Sequence, residues 1–89
     1  MDQRVHKFRV DKNATRQHIS MPNHAVGLSV TLQGNEIYMY CQVDIDKRPQ
    51  TRTVYCYYTG TPHDEYARIM KYVGSVTDED ALVYHIYMI

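Results

Sequence analysis

AVGLSVTLQGNEIYMYCQV, residues 25–43, is the stretch whose reading decides the fold. Val26, Leu28, Val30 and Leu32 alternate with small or polar residues, and Gln33, Gly34, Asn35 and Glu36 interrupt them. Ile37, Met39, Cys41 and Val43 then alternate with Tyr38, Tyr40 and Gln42. A period of two puts successive side chains on opposite faces of a strand. Between the two runs, the Gly34-Asn35 pair tolerates the positive φ that a two-residue hairpin turn demands. The stretch therefore predicts a β-hairpin whose second strand has an aliphatic-and-thiol face and a tyrosine face.

The same period continues on both sides. DIDKRPQT, residues 44–51, is charged and contains Pro49, which predicts a loop. TRTVYCYY, residues 51–58, resumes the alternation, with Val54, Cys56 and Tyr58 on one face and Tyr55 and Tyr57 on the other. Pairing of this run with residues 37–43 predicts a second hairpin that gathers Tyr38, Tyr40, Tyr55 and Tyr57 as cross-strand neighbours. KYVGSVT and ALVYHIYMI flank TDED as a third hairpin, and VHKFRV and RQHISM form two strands separated by the turn DKNAT. One segment departs from the pattern. Across residues 62–71, Thr61 can cap a helix, Pro62 suits its first position, and Asp64 and Glu65 suit its positive end. Tyr66, Ile69, Met70 and Val73 fall at helical spacing, so a short helix is expected there. The total, about seven strands and one short helix, predicts a mainly β single domain over residues 1–89, either a small antiparallel sandwich or a partly open barrel.

Composition bounds the function. Eighty-nine residues support one small core. Ten basic and ten acidic residues give zero formal net charge, which argues against a duplex nucleic-acid binder or a membrane-surface protein. The charge is unevenly placed: residues 1–20 carry five basic and two acidic side chains, and residues 61–80 carry two and five, a dipole suited to a mixed-charge protein surface. Two cysteines are too few for a disulfide scaffold and point to a reducing compartment. No apolar run approaches the roughly 20 residues that span a bilayer, and MDQRVHKFRV has no apolar signal core.

Little in the chain suggests chemistry. In TVYCYYTGTPHD, residues 53–64, Cys56, His63 and Asp64 could be taken for a nucleophile, base and orienter, but such a dyad needs about 2.6–3.2 Å between thiol and base. The alternation instead turns Cys41 and Cys56 inward, where the thiol is a small hydrophobe. His6, His18, His24, His63 and His85 show no ligand spacing, and the cysteines form no C-x-x-C, so no metal or other cofactor is expected. Gly27, Gly34, Gly60 and Gly74 are dispersed, as turns or close backbone approaches would place them and not as a phosphate loop would. The acidic groups Asp44/Asp46 and Asp78/Glu79/Asp80 read as solvated loops.

Three stretches taken in order, MPNHAVGLSVTLQGNEIYMYCQVDID, TVYCYYTGTPHD and KYVGSVTDEDALVYHIYMI, resemble a family of short all-β proteins encoded mainly in tailed bacteriophage and prophage genomes. The likeness runs from about residue 4 onward. This chain has Tyr84 where that family often has Trp, and a more helical 62–71 segment. The resemblance implies a phage origin and a small β fold, and no activity.

The resulting expectation is a non-enzymatic binding protein. It acts in the host cytoplasm and inhibits a host bacterial protein, an antiviral defence component, by direct contact. The partner face is Tyr38, Tyr40, Tyr55 and Tyr57, rimmed by Arg48 and Arg52. The alternatives are an oligomer that sequesters a nucleotide signal, with rings on the base and arginines on the phosphates, and a minor virion structural or assembly protein. The last strand is apolar on both faces. It is therefore either central and doubly covered or the site of a homodimer.

Overall fold

A computed structural model describes residues 2–63, 65 and 69–89. Its seven strands are β1 (Gln3–Val10), β2 (Arg16–Pro22), β3 (Val26–Gln33), β4 (Glu36–Asp44), β5 (Pro49–Tyr58), β6 (Lys71–Thr77) and β7 (Val83–Met88). All pairings are antiparallel, in a three-stranded sheet A ordered β1-β4-β3 and a four-stranded sheet B ordered β2-β5-β7-β6. The sheets face each other as a sandwich with overall extents of 40 × 32 × 16 Å.

The inward sets are those the alternation separates. Ile37, Met39, Cys41 and Val43 of β4 are fully buried and meet Val54, Cys56, Tyr84, Ile86 and Met88 from sheet B, with Val10 and Met21 closing the sides. Each large apolar side chain removed from water in this way is worth about 1.5–3 kcal/mol. The β3–β4 hairpin turns where expected, with Gly34 and Asn35 at φ 56° and 63°, the left-handed pair of a tight hairpin.

The second hairpin does not form. β4 is central, its two edges already bonded to β1 and β3, so it has no ladder left for β5. The chain crosses instead to the other sheet through residues 45–48. The Asp44 carboxylate accepts the Asp46 amide at 3.1 Å there, and the Lys47 amide donates to the Asp44 carbonyl at 3.0 Å. The crossing lets the Cys41 and Cys56 faces meet across the core. β1 and β2 likewise lie in different sheets, whereas β6 and β7 pair as expected.

One long side of the sandwich is closed by glycine. A Cβ on Gly27 of β3 would stand 2.8 Å from Val73 Cγ2 of β6, and one on Gly74 would stand 3.0 Å from Val30 Cγ2 and 3.3 Å from the Val30 nitrogen. Both strands shift register at this seam, between Gly27 and Ser29 and between Tyr72 and Gly74. Such bulges re-aim side chains. Val26 and Leu28 accordingly face solvent, while Val30 and Leu32 pack on the core, so the four do not share one face. Among the described residues no ladder joins β3 to β6, so the sheets stay a sandwich and do not close into a barrel.

The predicted helix over 62–71 includes residues 64 and 66–68, which lie outside the described residues. Of its described part, residues 62 and 63 are irregular, residue 65 lies in a 3-10 turn, and Lys71 already opens β6. The acidic loop is only partly solvated. Asp78 is buried, and its carboxylate accepts the amides of Asp80 at 2.9 Å and Leu82 at 3.0 Å and pairs with Lys12 Nζ at 3.4 Å. Burial works to raise its pKa, but the Leu82 and Asp80 amides and the Lys12 ammonium outweigh that and hold the carboxyl below the usual range. Lys12 also donates to the Asn35 carbonyl at 3.2 Å, knitting three loops into one end of the sandwich.

Candidate functional site

The six residues of the expected partner face are divided among three places. Tyr38 and Tyr40 stand half-buried on the outer face of sheet A, because β4 sends Ile37, Met39 and Cys41 inward. On β1, Lys7 pairs in register with Tyr40 and Arg9 with Tyr38. Lys7 reaches along the sheet so that Nζ sits 4.4 Å from the Tyr38 ring centroid and donates to Gln33 Oε1 at 3.0 Å. Arg9 Nε donates to Glu36 Oε2 at 3.2 Å. A cation over a ring in an exposed setting contributes about 0.5–1 kcal/mol, enough to bias the tyrosine to one rotamer. Val5, Val26 and Leu28, all about half exposed, complete a flat basic, aromatic and aliphatic face.

Tyr55 and Tyr57 are on the outer face of sheet B and are closed off, at 1% and 2% exposure. Their rings stack at 5.7 Å, and the segment leaving β5 folds back so that His63 stacks on Tyr57 at 4.1 Å. Tyr87 meets both Tyr57 and His63 edge-on, and Tyr72 meets Tyr87 at 5.4 Å. The four tyrosines are therefore not cross-strand neighbours. Two lie on each outer face of the sandwich, because β4 and β5 belong to different sheets.

A hydrogen-bonded chain ties the covering segment to sheet B. Thr59 Oγ1 donates to the Val83 carbonyl at 3.2 Å, which leaves it to accept from His85 Nε2 at 2.8 Å. His85 Nδ1 then accepts from Ser75 Oγ at 2.7 Å, and the Tyr72 hydroxyl donates to Ser75 Oγ at 2.5 Å. A serine beside a histidine resembles a nucleophile and its base, but a threonine hydroxyl stands where a triad has the carboxylate that steadies the imidazolium. What the chain does in the fold is fasten Thr59 above β7.

Cys56 and His63 stand on opposite faces of sheet B, so they form no dyad. Burial pushes the Cys56 thiol up to about 12, with Asp11 adding to it, and the Cys41 thiol up to about 11 against the opposing pull of Arg52. Among the described residues, no group of three His, Cys, Asp or Glu side chains is placed to hold a metal ion, and no helix is long and apolar enough to cross a membrane.

Arg48 is exposed in the turn before β5, where its carbonyl accepts the Asn23 amide at 2.8 Å. Arg52 sits farther along β5, its Nε donating to the Ile89 carbonyl at 2.6 Å and Nη1 to the Ala25 carbonyl at 3.0 Å. It separates two cavities at the end of the sandwich opposite the Lys12–Asp78 knot. One is an open cleft of about 460 Å³ bordered by Asn23, His24, Gln50 and Thr53. The other is a more enclosed pocket of about 190 Å³ bordered by Val26, Ile69, Lys71, Tyr72 and Met88.

Residues 1–89 match DUF7352, a domain of unknown function. The chain belongs to that family. No curated protein and no solved structure matches it. Within this DUF7352 domain, three groups with accessible chemistry were missed in the sequence. Lys7 and Arg9 were legible as alternate residues of β1, but only the β1–β4 register puts them beside Tyr38 and Tyr40. The Arg52–Lys71 pocket joins residues from β3, β5, β6 and β7, and no local pattern marks it. The Tyr72–Ser75–His85–Thr59 chain depends on β6–β7 pairing in the same way.

Proposed function

We propose that this domain is a non-enzymatic binding protein, encoded by a phage, that acts in the host cytoplasm and inhibits a host bacterial protein of antiviral defence by direct contact. The phage origin comes from the resemblance of its three motif stretches. The single observation that supports docking is the outer face of sheet A. There, Tyr38 and Tyr40 stand half-buried between Lys7, Arg9 and the exposed Val5, Val26 and Leu28. Tyrosines with few rotamers lose little entropy when a partner covers them, and cations at their margin select an acidic or mixed surface. The docking set is thus Tyr38, Tyr40, Lys7 and Arg9. Tyr55 and Tyr57 are occupied inside their own domain.

The test is affinity purification from host lysate with wild type and with a Lys7→Glu/Tyr40→Ala variant. A stoichiometric protein captured by the first and lost by the second, with the variant still unfolding cooperatively and its thermal midpoint lowered by no more than about 10 °C, is the expected result. Capture of nothing across relevant hosts, or capture that ignores the substitution, would overturn the proposal. A homodimer has no edge of β7 to use, since β5 and β6 occupy both, and would engage a face or the outer edge of β1 or β2. A second reading, sequestration of a nucleotide signal, is favoured by the pocket that Arg52, Lys71 and Tyr72 share.

A further inference from the structure

We infer that the Arg52–Lys71 pocket is a binding site for a small organic phosphate. Its anion would lie toward the two cations and its ring or apolar body against Val26, Ile69 and Tyr72. The site gives a place and a ligand chemistry to the nucleotide reading and, although Val26 borders both, shares none of Tyr38, Tyr40, Lys7 and Arg9 with the sheet A docking set.

Three observations carry it. The first is apolar exposure gathered at one place. Val26, Ile69, Tyr72 and Ile89 are among the large hydrophobic side chains left exposed on the molecule, at 58%, 61%, 58% and 38%, and all four border this pocket. Apolar surface concentrated around a concavity marks a binding site more often than apolar residues scattered singly do.

The second is the state of the two cations. The Arg52 guanidinium is oriented by the Ile89 and Ala25 carbonyls at 2.6 and 3.0 Å, which use Nε and one Nη1 hydrogen and leave its other donors for a ligand. Among the described residues, no side-chain carboxylate pairs with it. The Lys71 ammonium makes no hydrogen bond or ion pair among the described residues, although Lys71 borders the same pocket. A preoriented guanidinium and an unpaired ammonium facing one concavity match a group of charge near −2. A phosphate monoester carries about −1.5 to −2 at neutral pH, and a carboxylate carries only a single negative charge.

The third is room. The enclosed pocket of about 190 Å³ and the cleft of about 460 Å³ are neighbours that share Ala25, Arg52 and Ile89 as borders. Small-molecule sites run about 300–1,000 Å³, so the pocket takes the anion and part of the body, and a larger body extends over Arg52 toward the cleft.

The experiment is titration calorimetry of the intact protein with phenyl phosphate, adenosine 5′-monophosphate, inorganic phosphate, adenosine and benzoate. Saturable binding of at least one of the two phosphate esters is expected, at least about tenfold tighter than inorganic phosphate, adenosine or benzoate. Lys71→Gln, an exposed substitution that leaves the fold alone, should weaken it by about tenfold, the loss of one charge-assisted contact. Lys7→Glu on sheet A should leave it unchanged. Neither ester binding, benzoate binding as tightly as the esters, or Lys71→Gln binding as tightly as wild type would each overturn the assignment. Ester binding together with loss of the sheet A phenotype, or the reverse, separates this site from the docking face.

Discussion

Two tyrosine pairs, written almost identically in the sequence, end in opposite environments. Tyr38 and Tyr40 alternate with Met39 and Cys41, and Tyr55 and Tyr57 alternate with Cys56. Both pairs leave the core by the same pleat, on opposite outer faces of the sandwich. The sheet A pair stays half-buried under Lys7, whereas the sheet B pair is sealed at 1% and 2% exposure. The difference lies in the connection that leaves each strand. After β4, the chain crosses at the end of the sandwich through a turn knotted on Asp44. After β5, it must return to the far side of β7 to start β6, and its first residues, 59–63, set His63 on Tyr57 at the outer face. An aromatic outer face becomes a second core or a surface according to the route of the connection beside it.

The strongest way to break this contrast is to truncate one ring on each side. Tyr57→Ala should cost about 3–5 kcal/mol in denaturant unfolding, as loss of a buried ring and the stack on it does. Tyr38→Ala, its counterpart on the open face, should cost far less. Nearly equal costs for the two would mean that the faces do not differ.

The second effect tests the seam that holds the faces apart. Gly74→Val places methyl groups against the Val30 side chain and its backbone nitrogen, and overpacking of that kind should cost about 1–3 kcal/mol by chemical denaturation. The same change at Gly34 should leave the seam intact and act on the hairpin turn alone, because nothing lies within 4 Å of a Cβ there.

His63→Ala should sharpen the comparison from the covered side. Loss of the stack on Tyr57 should cost about 0.5–1.5 kcal/mol and make the tyrosine emission more accessible to acrylamide. No tryptophan obscures that signal. Unchanged quenching would show that the segment after β5 shields the ring without His63. Smallest of all, Tyr38→Ala should cost under about 1 kcal/mol, the worth of an exposed cation–ring contact and little else.

Much of the fold was legible. Period two found seven strands, the inward set of β4 and the inward Val54 and Cys56 of β5, although Tyr58, read as sharing their face, is 47% exposed at the strand's end; the Gly34-Asn35 pair located the tight hairpin. Pairing was less legible, because a strand's alternation says which side chains share a face and says nothing about which sheet receives it. TRTVYCYY would serve equally as a partner of β4 or as its opposite across the core, and the saturated edges of β4 select the second. The run Val26-Leu28-Val30-Leu32 misled for a related reason. Gly27 must lie under Val73, and the bulge that puts it there turns Val26 and Leu28 outward. Of the candidate site, Tyr38 and Tyr40 were visible as an outward pair, but Lys7, Arg9 and Lys71 were not. Their significance depends on neighbours far away in the chain, such as Gln33 for Lys7, 26 residues distant.

What the sequence determined by itself is therefore local: the strand period, the glycine turn and the inward thiols. Tertiary structure decided which sheet each strand joins, which tyrosines are covered, and that Arg52 and Lys71 border one pocket. The physical reason is range. Alternation and turn chemistry act through the covalent geometry of a few neighbouring residues. Edge saturation, bulge placement and the path of a connection over a face exist only once strands distant in sequence have met.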